Sequence, residues 1–164
     1  MIKQINILIL TMLGIARSKY APGTVASFVT FLIYIFFFYF KINIFFLILG
    51  LVFIFIYSVY AIDKSKNYFK EIDSKEIVID EFIGQSIPIL TFYCIVQENH
   101  IGHFVSYTFI SFILFRIFDI TKPYPIGKID KNMKNGFGVI LDDIIAGIYS
   151  VTTLLIIILF TNYG

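Results

Sequence analysis

The segment LDDIIAGIYSVTTLLIIILF, residues 141–160, places two adjacent carboxylates, Asp142 and Asp143, at the start of a long apolar run. The same arrangement occurs at Asp80 and Glu81, which precede the apolar residues 82–96, and Asp119 lies where another apolar run ends. Carboxylates are costly beside hydrocarbon. Five of them kept at such boundaries therefore indicate a functional site.

The composition predicts a membrane protein. Of the 164 residues, 59% are hydrophobic and 15% are charged, whereas a soluble domain averages about 45–50% apolar and about 25% charged residues. A chain of this length is expected to form a single domain, residues 1–164. The net charge of +2 is too small to indicate a nucleic-acid partner, and no feature of the sequence points to a protein partner.

The pattern of the apolar runs predicts an all-α fold. The runs show no strand alternation, and their even apolar character is typical of helices that are surrounded by apolar material on all sides. A short helix over residues 5–16, too short to span comfortably, is expected to be retained and to lie along the membrane interface. We predict a bundle of about five apolar helices plus this short N-terminal helix, with the runs at 25–40, 44–62, 82–96, 104–118 and 144–160.

Basic residues predict the orientation. If the chain crosses the membrane five times, the segments 17–24, 63–81 and 119–143 share one side, and the opposite side holds Lys41. By the positive-inside rule the lysine-rich side is cytoplasmic. All five carboxylates fall on that same side. The basic residues counted there are Arg17, Lys19, Lys64, Lys66, Lys70, Lys75, Lys122, Lys128, Lys131 and Lys134, with Arg116 just inside the adjoining helix.

The carboxylates have the oxygen ligands that Mg²⁺ prefers. Asp80 and Asp143 each have a glycine four residues later, Gly84 and Gly147, so that a neighbouring helix or an ion can approach the same helical face. Zinc is not expected, because His100 and His103 fall on the opposite side of the membrane. A plainer alternative is that the acids cap helix N-termini or pair with local lysines.

Candidate phosphate ligands lie near the same boundaries. In Arg17-Ser18-Lys19-Tyr20-Ala21-Pro22-Gly23-Thr24 the free amides of a helix N-terminus, with Thr24 as its cap, predict an anion site beside Lys19 and Gly23. The alternative is an ordinary basic turn leading into a helix. Arg116 and Lys122 flank Asp119 at spacings of three residues. Gly136 and Gly138 either admit a phosphate or interrupt the chain before the last helix.

Four blocks of sequence resemble the phosphatidylglycerophosphatase A family. They are Ala21-Pro22-Gly23-Thr24, residues 77–84, residues 115–126 (FRIFDITKPYPI) and residues 135–147 (NGFGVILDDIIAG). The blocks occur in the family's order and extend from about residue 14 to residue 149. The resemblance implies an all-helical, Mg²⁺-dependent phosphatase of the bacterial inner membrane. It would remove the terminal phosphate of phosphatidylglycerophosphate to give phosphatidylglycerol and inorganic phosphate.

The sequence thus yields one mechanistic hypothesis and two rivals. Mg²⁺, as one or two ions held by the five carboxylates at the cytoplasmic face, would polarise the phosphate and activate water. The cations Lys19, Arg116 and Lys122, with the amides near Gly23, would stabilise the developing charge, while an aspartyl-phosphate route stays open. The rivals are another Mg²⁺-dependent lipid enzyme, such as a CDP-alcohol phosphotransferase, whose D-G-x-x-A-R segment the chain lacks, and a small transporter or channel subunit.

Overall fold

The computed structural model describes residues 2–18, 20–65, 69, 76–96 and 100–163. Throughout these ranges the regular structure is helical, without strands, which confirms the all-α prediction. A single 3₁₀ turn, Ile15–Arg17, precedes the second helix. The α-helices are α1 (Ile2–Leu10), α2 (Pro22–Tyr39), α3 (Ile44–Ser65), α4 (Ile79–Ile95), α5 (Ile101–Thr121), α6 (Ile126–Asn132) and α7 (Gly136–Tyr163).

Four helices of the described chain, α2, α3, α5 and α7, are long and apolar enough to cross a membrane. The remaining predicted apolar helix, α4, has 17 residues and contains Pro88. Its length is about 26 Å, compared with about 30 Å for the hydrocarbon layer of a bilayer. α4 packs against α2, α3, α5 and α7 and forms the centre of the bundle. The predicted bundle of about five apolar helices plus a short N-terminal helix is therefore what the chain forms.

Two glycines bring the backbones of α4 and α7 together. A Cβ atom added to Gly84 would lie 2.6 Å from the carbonyl oxygen of Asp143, and one added to Gly147 would collide with the carbonyl oxygen of Gly84. Close helix contact through glycine is typical of packing in membranes, where van der Waals contact holds helices together. The predicted use of these glycines for helix approach is confirmed, and it draws Asp143 against the first turns of α4.

Two helix boundaries differ from the prediction, and one helix was not predicted. α1 ends at Leu10 and not at residue 16, because Met12 and Leu13 adopt left-handed backbone angles (φ 46° and 59°) that end the helix. α7 begins at Gly136, so the two glycines before Asp142 form its first turn. The short helix α6, between Lys122 and α7, was not predicted.

Buried hydroxyl groups inside the bundle bond to helix carbonyls. Thr30 and Thr108 each donate to the carbonyl four residues earlier, at 2.8 Å and 2.7 Å, and Ser150 of α7 donates to the carbonyl of Ser111 on α5 at 2.8 Å. These three hydroxyls thus have partners, which is the condition for burying them at low cost.

Candidate active site

The structure brings all five predicted carboxylates into one cavity. The cavity has a volume of about 460 Å³ and lies where α4 and α7 begin and α5 ends. Two predicted cations, Arg116 and Lys122, and Gly23 also line it. Its full lining is Ala21, Pro22, Gly23, Ile77, Asp80, Glu81, Arg116, Asp119, Lys122, Asp130, Val139, Asp142 and Asp143.

Three of the carboxylates form a compact group. One oxygen atom from each of Asp80, Glu81 and Asp143 lies within 4.8 Å of the other two. Asp143 is only 3% exposed. Two buried oxygens of the group, Asp80 Oδ1 and Glu81 Oε2, have no hydrogen-bond partner among the described residues. Unpartnered buried oxygens are rare, because each costs free energy until a donor or a cation reaches it.

Gly23 gives Glu81 its place in this group. A Cβ atom at residue 23 would overlap Glu81 Oε1 and would lie 3.3 Å from Arg116 Nη1. The first turn of α2 can therefore approach α4 only because residue 23 has no side chain. Gly23, predicted from sequence as an anion ligand, is in contact with a carboxylate and a guanidinium.

The other two predicted carboxylates pair with cations. Arg116 Nη1 lies 2.7 Å from Asp119 Oδ2, three residues later on α5, and 4.0 Å from Glu81 Oε1. It also donates a hydrogen bond to Ser27 Oγ of α2 at 3.4 Å. The guanidinium thus links α2, α4 and α5 beside the compact carboxylate group.

Lys122 ends α5 in a left-handed conformation, φ 43°, and bridges two acids. Its Nζ lies 2.9 Å from Asp142 Oδ2 of α7 and 2.9 Å from Asp130 Oδ1 of α6. Burial lowers the pKa of this ammonium, but the hydrogen bonds and charges of Asp142 and Asp130 outweigh burial and raise the pKa above its ordinary value.

Asp130 is a site residue that the sequence reasoning missed. In the sequence it stands between Lys128 and Lys131, which favours the interpretation of a solvated charged turn. The turn signal Pro123-Tyr124-Pro125 just before it was the only hint that a short element follows. The structure shows that this element, α6, places Asp130 in the cavity lining.

Two residues of the predicted phosphate site have other outcomes. Lys19 lies outside the described residues. The prediction that Thr24 caps α2 is wrong, because the helix begins at Pro22 and its N-cap, Ala21, makes no side-chain hydrogen bond. Thr24 lies inside the first turn and does not line the cavity.

The glycines at residues 136 and 138 serve the start of α7. The amide of Gly136 donates to Asp63 Oδ1 at 2.7 Å, and the amide of Gly138 donates to Asn135 Oδ1 at 2.7 Å. A side chain at residue 138 would collide with the carbonyl of Met133. They are neither a break before the last helix nor part of the cavity lining.

The two histidines lie at the other end of the bundle. His100 and His103 flank the start of α5, whereas Asp119 lies in its last turn, about 24 Å away at 1.5 Å per residue. The carboxylate cavity therefore has oxygen ligands but no imidazole within the described chain.

The residues present fit a hard divalent cation. Six acidic residues and two basic residues line the cavity, a formal excess of four negative charges when all of them are ionised. Ligands of an octahedral Mg²⁺ ion lie about 3–4 Å apart, and one oxygen each from Asp80, Glu81 and Asp143 lies within 4.8 Å of the other two, so the three are near enough to share one ion. The unpartnered oxygens of Asp80 and Glu81 are available as ligands of such an ion.

A helical membrane protein with clustered carboxylates and two cations at one end of its bundle has the residues that a membrane phosphatase needs to bind a divalent cation and a phosphate group. The chain belongs to the phosphatidylglycerophosphatase A family, whose model matches residues 8–158. It is thus an enzyme of the phosphoric monoester hydrolase class.

Named relatives agree with this assignment at the level of class. A Bacteroides thetaiotaomicron protein, provisionally named a phosphatidylinositol-3-phosphatase, is 35% identical over 147 residues, 88% of this chain and 87% of that protein. The phosphatidylglycerophosphatases A of Haemophilus influenzae and Escherichia coli are 39% and 37% identical, each over 48% of this chain. These alignments cover 44% and 41% of those proteins. No solved structure matches the chain at a significant level.

Proposed function

We propose that the enzyme hydrolyses the terminal phosphate monoester of phosphatidylglycerophosphate and depends on Mg²⁺. The observation that carries the proposal is the group of Asp80, Glu81 and Asp143, whose oxygens lie within 4.8 Å of one another beside two cations. Family membership supplies the reaction class. Bound Mg²⁺ would neutralise phosphate charge and activate water.

The chain's own residues divide the work of the site. Asp80, Glu81 and Asp143 would hold the metal. Arg116 and Lys122 would bind the phosphate oxygens and stabilise the charge that develops there as the ester bond breaks. A guanidinium suits this task, because its planar set of donors matches phosphate oxygens. Asp119 and Asp142 would orient these two cations and add negative charge near the metal.

The proposed location is the cytoplasmic face of the bacterial inner membrane. The support is the distribution of basic residues, since the cavity end of the bundle carries Lys122, Lys128, Lys131 and Lys134 while the opposite end carries Lys41. The partners that follow are the bilayer and the phospholipid substrate. A phosphate monoester at the headgroup level would reach a cavity at the end of the bundle without entering hydrocarbon.

The test is release of inorganic phosphate from phosphatidylglycerophosphate by the purified protein in detergent micelles, with Mg²⁺ and with excess EDTA. We expect Mg²⁺-dependent release, and loss of at least about 100-fold in Asp80→Asn and Asp143→Asn, since even mutating the groups that orient metal ligands typically costs about 10–100-fold. Asp63→Asn is the matched control, because asparagine keeps the acceptor for Gly136 and lies outside the cavity lining. Full activity under EDTA would contradict the metal-dependent mechanism.

A second candidate substrate is phosphatidylinositol 3-phosphate. It is favoured by the Bacteroides relative, which aligns with most of both chains. Both lipids present a phosphate monoester on the headgroup alcohol, which is glycerol in one lipid and the bulkier inositol ring in the other. Parallel measurement of kcat/KM for the two lipids decides between them. A ratio above about 10 in favour of phosphatidylinositol 3-phosphate would replace the first proposal.

A further inference from the structure

We infer that Asp130 is a positioning residue that holds the ammonium of Lys122 at the mouth of the cavity, where it binds the phosphate group of the substrate. The inference rests on the proposed function for the identity of this ligand, a phosphate monoester. Asp130 and the helix that carries it were absent from the sequence-based site, and Asp130 has no other evident task there.

The geometry of the bridge between Lys122 and the two acids supports this role. Lys122 Nζ lies 2.9 Å from both Asp130 Oδ1 and Asp142 Oδ2. An ammonium has three N–H donors, so two of them are directed to these acids and one is left for a ligand. Two carboxylates on different helices hold the ammonium in one position, whereas the flexible lysine side chain alone would leave it mobile.

The three side chains of the bridge differ in their exposure to solvent. The side chain of Asp142 is 7% exposed, that of Asp130 is 23% exposed, and that of Lys122 is 32% exposed. Asp142 therefore draws the ammonium inward and Asp130 draws it outward. Without Asp130, Lys122 would pair with Asp142 alone, deeper in the cavity and farther from its mouth.

The helix that carries Asp130, α6, packs closely on Lys122. A Cβ atom at Gly127 would lie 2.8 Å from the carbonyl oxygen of Lys122, and Ile126 is fully buried. This packing holds a helix of only seven residues in place, and Asp130 lies one turn after these contacts. Lys134 lies 3.8 Å from the same Asp130 oxygen but is half-exposed, so it accompanies the pair at the surface.

The test is a double-mutant cycle read by calorimetric binding of inorganic phosphate at saturating Mg²⁺, with steady-state kinetics in parallel. We expect Asp130→Asn to weaken phosphate binding and raise KM about tenfold, which corresponds to about 1.4 kcal/mol, while kcat changes less than about threefold. In a Lys122→Met background, Asp130→Asn should have no further effect. Asp130→Glu should recover part of the affinity, and Asp63→Asn should match the wild type.

The outcomes separate a positioning role from a structural one. A mere folding defect would reduce the number of active molecules, which lowers kcat and leaves KM unchanged. The inference is overturned by unchanged phosphate affinity in Asp130→Asn, or by an equal loss with and without Lys122. If the wild type binds phosphate with this dependence but hydrolyses neither lipid, the proposed function fails and the role of Asp130 stands.

Discussion

Replacing Gly23 with alanine should separate metal binding from folding. The added Cβ would overlap Glu81 Oε1 and lie 2.9 Å from Glu81 Cδ, so the carboxylate has to retreat by more than about 1 Å to restore ordinary contact distances. Metal–ligand distances tolerate only about 0.2 Å. Glu81 would therefore be lost or weakened as a ligand, and we expect metal affinity to fall about 10–100-fold.

Stability should move in the opposite direction. The obstructing group is the end of a flexible side chain, which can rotate away, and alanine is favoured over glycine in a helix by about 1 kcal/mol. The Tm of Gly23→Ala should thus equal or exceed that of the wild type. Gly84→Ala is the contrasting case, because its Cβ would lie 2.6 Å from the backbone oxygen of Asp143. Such overpacking costs about 1–3 kcal/mol.

The assay measures, by electron paramagnetic resonance, the binding of Mn²⁺ as a paramagnetic substitute for Mg²⁺. Tm is measured in the same detergent. Gly50→Ala is the matched control, because a Cβ there meets no atom within 4 Å; it should leave Mn²⁺ affinity unchanged. Shortening the acid in Gly23→Ala/Glu81→Asp should recover part of the affinity. Wild-type Mn²⁺ affinity in Gly23→Ala, or a loss of affinity matched by a loss of Tm, would refute the reasoning.

Three further predictions follow from the same geometry. Arg116→Lys keeps the charge but loses the planar set of guanidinium donors that matches phosphate oxygens, so KM should rise about tenfold with little change in Tm; an unchanged KM would show that the fork of donors is unimportant. Asp143→Asn should abolish Mn²⁺ binding and yet raise the Tm measured without divalent ions, because it relieves repulsion within the carboxylate group; a lower Tm would contradict that electrostatic argument. Cys94, the single cysteine, is exposed at the end of α4 away from the cavity, so a membrane-impermeant maleimide should label intact spheroplasts, and labelling only after lysis would reverse the proposed orientation.

The convergence of the acids could be predicted because it depends on topology alone. Apolar runs of membrane length alternate in direction, so the start of α4, the end of α5 and the start of α7 must meet at one end of the bundle. The role of Gly84 and Gly147 could also be predicted, since spacing of four residues places each on the face of an aspartate. These features are periodic, and the sequence displays them directly.

The pairing within the site could not be predicted in the same way. The sequence treats five carboxylates alike, whereas the structure separates Asp80, Glu81 and Asp143 from Asp119 and Asp142, which face cations. That division depends on side-chain distances of about 3 Å. α6 is too short to show a helical period, and Thr24 failed as a cap because proline, which lacks an amide proton, already occupies the first position of α2.

This division explains how one cavity can bind both a cation and an anion. The clustered acids Asp80, Glu81 and Asp143 repel one another in a water-poor site, so a divalent ion relieves their repulsion on binding. Arg116 and Lys122, in contrast, are each shared between two acids. Neither cation uses all of its N–H donors on these acids, so donors remain for a ligand. A phosphate would therefore contact cations that are held in place but still have free N–H donors. Beside them lie acids whose charge only a bound metal would neutralise. If all five acids had bound metal, no fixed cation would remain for the substrate, and if all five had paired with cations, the metal would have no site.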